Sequence, residues 1–212
     1  MKENWKSFLR KKYAKIIILL SIVILVLALF SISKFIVYVE ARDGVVLNDP
    51  LFVYFKAIDL NYIIFGLIYV SLILALLLLL KYPAELFIAI QSYSLMVFIR
   101  IAAMYLVPLN QHPDAIDLQD PIVFLIGTGQ KVTKDLFFSG HTSTLFLIFL
   151  TAKNKIFKYI FLTSSVLVGT FVVLQKVHYA IDVFAAFFFA YASYRAIIIL
   201  NKKLNKTQTN EQ

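Results

Sequence analysis

The chain has 212 residues, 61% hydrophobic and 16% aromatic, with a formal net charge of +9. That apolar share lies above the roughly 45–50% of a soluble domain, which excludes a water-soluble globule. The chain has no cysteine, which excludes disulfides, zinc-thiolate sites and thiol nucleophiles. Its positive charges sit in short clusters between apolar runs, a pattern for anionic lipid headgroups rather than nucleic acid.

Residues 1–15 form a basic segment carrying Lys2, Lys6, Arg10, Lys11, Lys12 and Lys15. The apolar run after it is longer than the core of a cleavable signal, about 7–15 residues, so it reads as a retained signal anchor. Six apolar stretches then follow, approximately Ile16–Val39, Tyr62–Leu80, Ala84–Leu106, Leu136–Thr151, Ile156–Leu174 and Tyr179–Leu200. A spanning helix needs about 20 apolar residues. The expected fold is therefore all-α, an integral membrane bundle of six transmembrane helices over residues 16–200, with a polar tail at 201–212. The fourth stretch is the shortest, and its helix is expected to continue into Ala152–Lys158 to reach the interface. No internal repeat is visible.

Basic residues concentrate on the cytoplasmic side of membrane proteins. With six spans, one side collects the N-terminus, Lys81, the Lys153-Lys155-Lys158 connection and the Lys202-Lys203-Lys206 tail, with Arg195 near that end. The other side holds Lys34, Arg42, Lys56, Lys131, Lys134 and Lys176, spread over longer loops. Both termini are thus expected in the cytoplasm. Connections one, three and five face outward, and they carry Asp49-Pro50, the 108–135 loop and His178. The expected location is a plasma or inner membrane.

Two short segments break the apolar pattern: Phe138-Ser139-Gly140-His141-Thr142 and His178-Tyr179-Ala180-Ile181-Asp182. Ionisable groups at bilayer depth are costly, so they point to function. His178 and Asp182 stand at i and i+4, where the carboxylate can hold one ring nitrogen and leave the other lone pair free. Imidazole then serves as nucleophile, and His141 as the acid that protonates a leaving alkoxide. Ser139-Gly140 opens the next helix, where free N–H groups suit a phosphate. The implied reaction is phosphoryl transfer through a phosphohistidine, with no metal and no cofactor. Blander alternatives stand beside this one: Ser-Gly is also ordinary capping, and two satisfied interfacial histidines would look the same. A metal site from His141, His178 and Asp182 is a further alternative, although no other His, Glu or Cys clearly joins them. Arg100, eight residues before Pro108, is either a snorkelling arginine or a phosphate partner.

These residues resemble a known family. Asp135-x-x-x-Ser139-Gly140-His141-Thr142 and His178-Tyr179-x-x-Asp182-Val183 are similar to the two catalytic motifs of sphingomyelin synthases and their bacterial relatives, within the type 2 phosphatidic acid phosphatase superfamily. Arg100-x-x-x-Met104-Tyr105 resembles a third motif, and the six-span layout fits. The resemblance implies His178 as nucleophile, Asp182 as its orienting carboxylate and His141 as general acid and base. It implies Arg100, Tyr105, Asp135, Ser139 and Gly140 as the substrate site. The Lys-x6-Arg-Pro motif of the phosphatase branch is missing. Phe138 replaces its proline, and Phe171-Val172 stand where that branch has Ser-Arg. Thr133-Lys134 and Ala180 depart from the synthase pattern, at its Cys-Gly and at the Ser or Thr after His-Tyr. The expected function is transfer of a phosphoryl headgroup from a phospholipid to a lipid alcohol, ceramide or diacylglycerol. A lipid phosphate phosphatase is the alternative, and a non-catalytic lipid-binding or transport protein the second. The expected partners are these lipids and the membrane, with no nucleic acid.

Overall fold

The computed structural model describes residues 5–120 and 132–210. Lys2, Lys131, the Lys206 side chain and residues 211–212 lie outside the described residues. Among the described residues are seven α-helices: α1 (Trp5–Leu9), α2 (Ala14–Ala41), α3 (Asn61–Leu79), α4 (Pro83–Leu106), α5 (Gly140–Thr151), α6 (Lys155–Leu174) and α7 (Ala180–Asn210), with a 3₁₀ turn at Pro50–Val53. No strand occurs among these residues; Val45 and Leu109 form an isolated bridge.

Five helices, α2, α3, α4, α6 and α7, are long and apolar enough to cross a membrane. They display large apolar side chains outward, with Leu19 62%, Phe30 63% and Phe188 68% exposed. Continuous apolar faces of this kind are unfavourable in water and at home in lipid.

The expected fourth span is corrected in length. Helix α5 covers only 12 residues, roughly 18 Å against a hydrocarbon core of about 30 Å. It does not continue into Ala152–Lys158. Ala152 turns extended with ψ 132°, and Asn154 caps a new helix by accepting from the backbone N–H groups of Ile156 and Phe157. The extended Ala152 ends one helix and the Asn154 side chain starts the next within three residues. At its other end α5 begins at Gly140 rather than Leu136, because Ser139 accepts from Thr142 N.

A short helix suffices there because α5 is the hub of the bundle. It packs on α3, α4, α6 and α7, while α2 lies outside on α4. Half of its residues are buried, including Thr142, Leu145 and Thr151. Gly169 of α6 makes this packing possible: a Cβ there would stand 2.8 Å from Val183 Cγ1 of α7 and 3.3 Å from Thr142 Cγ2 of α5. Ser165 Oγ donates to the Thr142 carbonyl at 2.9 Å. The first turn of α5 therefore lies level with residues 165–169, below the end of α6 at Leu174. A polar relay ties α2, α4 and α7 together: Gln91 donates to Ser21 Oγ at 2.8 Å and accepts from Asn201 at 3.0 Å. Such interhelical bonds hold apolar helices in register.

Candidate active site

Two backbone devices bring the two histidine motifs together. The C-terminus of α6 closes in a Schellman pattern. Lys176 N donates to Val173 O at 2.9 Å, and Val177 N to Val172 O at 3.1 Å. Lys176 occupies the left-handed position at φ 57°, where glycine is usual, and Phe137 adopts φ 88° just before the other motif. Left-handed non-glycine residues carry strain that surrounding structure must hold, and such strain clusters at functional sites. Each of these two sits two residues before a motif residue, Ser139 or His178. The hooked chain returns His178 N to Val172 O at 3.3 Å, and Ser139 N donates to Asp182 O at 3.2 Å. That last bond joins the two motifs directly.

His178 precedes α7 rather than lying in its first turn, yet its partnership with Asp182 forms. Nδ1 of His178 is 3.1 Å from Asp182 Oδ2, with the histidine 5% exposed and the aspartate fully buried. The same oxygen accepts from Tyr179 N at 3.1 Å. This is the reaching-back half of a capping box, with Asp182 at the third helical position. The carboxylate thereby orients the ring and leaves Nε2 with the free lone pair.

His141 stands in the first turn of α5, its ring edge-on to Phe65 of α3 at 5.8 Å between centroids. Its Nδ1 is buried without a hydrogen-bond partner among the described residues. The charges of Arg100, His178, Asp135 and Asp120 all reach it. Arg100 of α4 pairs with Asp135 through Nη2 and Oδ2 at 2.6 Å and lies over the Phe138 ring at 5.9 Å. Its guanidinium rests against Gly140, where any Cβ would collide with it. The glycine thus lets the guanidinium approach the start of α5, and any larger residue would require that group to move. Arg100 Nε and Asp135 Oδ1 are also buried without partners among the described residues. Arg100 is thus held by Asp135 and points to the start of α5.

Seven of the eight expected site residues, His141, His178, Asp182, Arg100, Asp135, Ser139 and Gly140, meet around the starts of α5 and α7. The eighth, Tyr105, is 60% exposed at the end of α4, and its carbonyl accepts from Arg42 at 3.1 Å. Among the described residues no group of three or more His, Cys, Asp or Glu could hold a metal ion.

The sequence reading missed three supports. Asp49 Oδ2 accepts from Ala180 N at 2.6 Å while Oδ1 accepts from Leu51 N at 3.0 Å, so one carboxylate caps both the 3₁₀ turn and α7. Glu40 accepts from Thr133 N at 2.7 Å and Lys134 N at 2.6 Å, clamping the segment that carries Asp135 to the end of α2. Tyr179 donates to Asn110 O at 2.8 Å and accepts from Leu47 N at 3.2 Å. Asp49-Pro50 signals a local turn, but nothing local shows that its second oxygen serves a helix 131 residues away. Asp49→Ala should cost about 1 kcal/mol for the cap, lowering the unfolding midpoint by roughly 2–4 °C. Thermal unfolding in detergent measures it; an unchanged midpoint would remove Asp49 from the scaffold of the site.

Fold and site together define a multi-pass helical membrane protein with a histidine–aspartate pair and an arginine gathered at two helix starts. The family described as PAP2 superfamily C-terminal matches residues 134–198. The match covers both histidine motifs and leaves Arg100 outside. It supports the type 2 phosphatidic acid phosphatase superfamily, whose members are generally phosphatases or phosphotransferases. A comparison with curated proteins found no match.

Proposed function

We propose that this protein is a membrane-embedded lipid phosphotransferase of the sphingomyelin synthase-like kind. It would move a phosphoryl headgroup from a phospholipid to ceramide or diacylglycerol through a phosphohistidine. The observation that carries this reading is the His178 Nδ1–Asp182 contact, which leaves Nε2 free on a ring whose charge is felt at His141. In the first step Nε2 attacks phosphorus. The bond from phosphorus to the departing diacylglycerol oxygen breaks, and His141 gives that oxygen a proton. In the second step His141 takes the proton of the acceptor hydroxyl. The new alkoxide attacks phosphorus, and His178 leaves. Asp182 steadies the positive imidazole between the steps. Arg100 and the N–H groups opening α5 hold the phosphate oxygens.

The charge of the cradle supports a diester substrate. One guanidinium serves the phosphate, and Asp135 offsets part of its charge. A singly charged diester suits that balance better than a dianionic monoester. Purified protein should therefore transfer the headgroup of a diester phospholipid to ceramide or diacylglycerol faster than it hydrolyses phosphatidic acid. Fast phosphatidic acid hydrolysis with no transfer to either acceptor would favour the phosphatase, in which water replaces the lipid alcohol.

In this proposal α5 is the sixth membrane-embedded segment, shielded from lipid by its neighbours. The basic clusters support cytoplasmic termini and a site facing outward, in the plasma or inner membrane. Lys56→Cys introduces a lone exposed thiol in the connection that carries Asp49, in a chain otherwise free of cysteine. Impermeant maleimide should label it in intact cells; labelling only after permeabilisation would reverse the orientation.

A further inference from the structure

A second recess lies at the opposite end of α5. Thr151 is eleven residues beyond Gly140, roughly 16 Å of helix away from the histidines. Here a cavity of about 590 Å³ opens between the first turn of α4, the α5–α6 turn and α7. Its rim carries Lys153, Lys155, Lys158 and Glu85, and its wall includes Phe149 and Leu162. Lys153 is held by Glu85 at 2.6 Å. Neither Lys155 nor Lys158 is paired with a carboxylate among the described residues. Lys158 is poised 5.1 Å over the Phe149 ring, at the boundary between rim and wall. The cavity thus offers two positive charges without a carboxylate partner among the described residues, beside the apolar side chains Phe149 and Leu162.

We propose that this recess binds one anionic phospholipid of the leaflet opposite the catalytic histidines. The headgroup phosphate pairs with Lys155 and Lys158, and an acyl chain lies along Phe149 and Leu162. Charge complementarity selects the anionic headgroup. The apolar wall selects a lipid over free phosphate, because an inorganic ion leaves that surface uncovered. Glu85 on Lys153 keeps the third lysine from drawing the headgroup away from the wall. The site is independent of the phosphotransfer proposal, since it contains none of the catalytic residues.

The test is native mass spectrometry of detergent-purified protein titrated with phosphatidylglycerol or phosphatidylcholine of the same chains. Wild-type protein should hold one phosphatidylglycerol in preference to phosphatidylcholine. Lys155→Gln/Lys158→Gln should weaken that adduct by about fivefold per lysine, and Lys155→Arg/Lys158→Arg should retain it. Inorganic phosphate at equal concentration should not displace it. Equal retention of both lipids by the wild type would overturn the proposal, as would full phosphatidylglycerol preference in the glutamine variant. Displacement by phosphate alone would reduce the site to a simple anion site. Lys155 is exposed and Lys158 half-buried, so unfolding midpoints without added lipid should match between the wild type and the arginine variant, which keeps the cation over Phe149.

Discussion

His178→Ala is expected to reduce turnover by at least about a thousandfold, because in the proposed mechanism it removes the group that forms the covalent intermediate. His141→Ala should cost about 10²–10⁴-fold, the usual worth of a positioned general acid. The two variants should differ in kind. Without His178 no phosphoenzyme can form, whereas without His141 the intermediate forms slowly and an activated leaving group partly restores the first step. Radiolabelled donor headgroup, followed by an acid-labile, base-stable protein adduct, separates the cases. The double variant should be little worse than His178→Ala, since the residues act as a unit. Wild-type turnover in either single variant, with normal membrane insertion, would end the phosphohistidine mechanism. Asp182→Asn should also lose activity, because the amide cannot compensate an imidazolium.

Arg100→Lys should lower kcat/KM for a diester lipid by about 10²-fold or more, the scale of losing one oriented donor at a developing charge. A lysine retains the charge but supplies a point donor where the guanidinium forms a fork. It also cannot lie flat between Phe138 and Gly140 while reaching Asp135. Gly140→Ala should produce a comparable loss by a different route. Its Cβ would occupy space held by the Arg100 guanidinium and drive that group from the start of α5, although the Ser139 cap survives. The pair of variants separates charge from geometry. If Arg100→Lys retained wild-type kcat/KM, the guanidinium would have no phosphate role. If Gly140→Ala did so, close approach would not matter to catalysis.

The legible part of the fold was the part written in local composition. Long apolar runs require internal backbone hydrogen bonding in lipid, so α2, α3, α4, α6 and α7 follow from hydropathy. The fourth stretch misled for the same reason. A hydropathy pattern counts apolar residues, and Ala152–Lys158 resembled a continuation. The structure ends α5 at Thr151, where Ala152 turns extended and Asn154 then caps the next helix, and it tolerates the short helix because four neighbours surround it. A helix shielded by protein has no bilayer thickness to match.

The site divides in the same manner. His141, His178 and Asp182 were legible because ionisable groups stand out in apolar runs and because i,i+4 spacing is a local relation. Phe137 and Lys176 in left-handed conformations were not, since neither residue type announces a positive φ. Asp49 and Glu40 were not legible either, because the N–H groups they accept from lie 131 and 93 residues away.

The sequence by itself determined a helical membrane protein, the candidate site side chains His141, His178 and Asp182, and the likeness of its two motifs to a lipid phosphotransferase family. Only the tertiary structure decided that Ser139 N reaches Asp182 O, that Arg100 rests on Gly140, and that one Asp49 carboxylate serves two elements. The physical reason is range. Hydropathy and helical spacing act over a few turns and are written in neighbouring residues. A close approach or a shared cap depends on how separate helices pack, and no local stretch of chain encodes that.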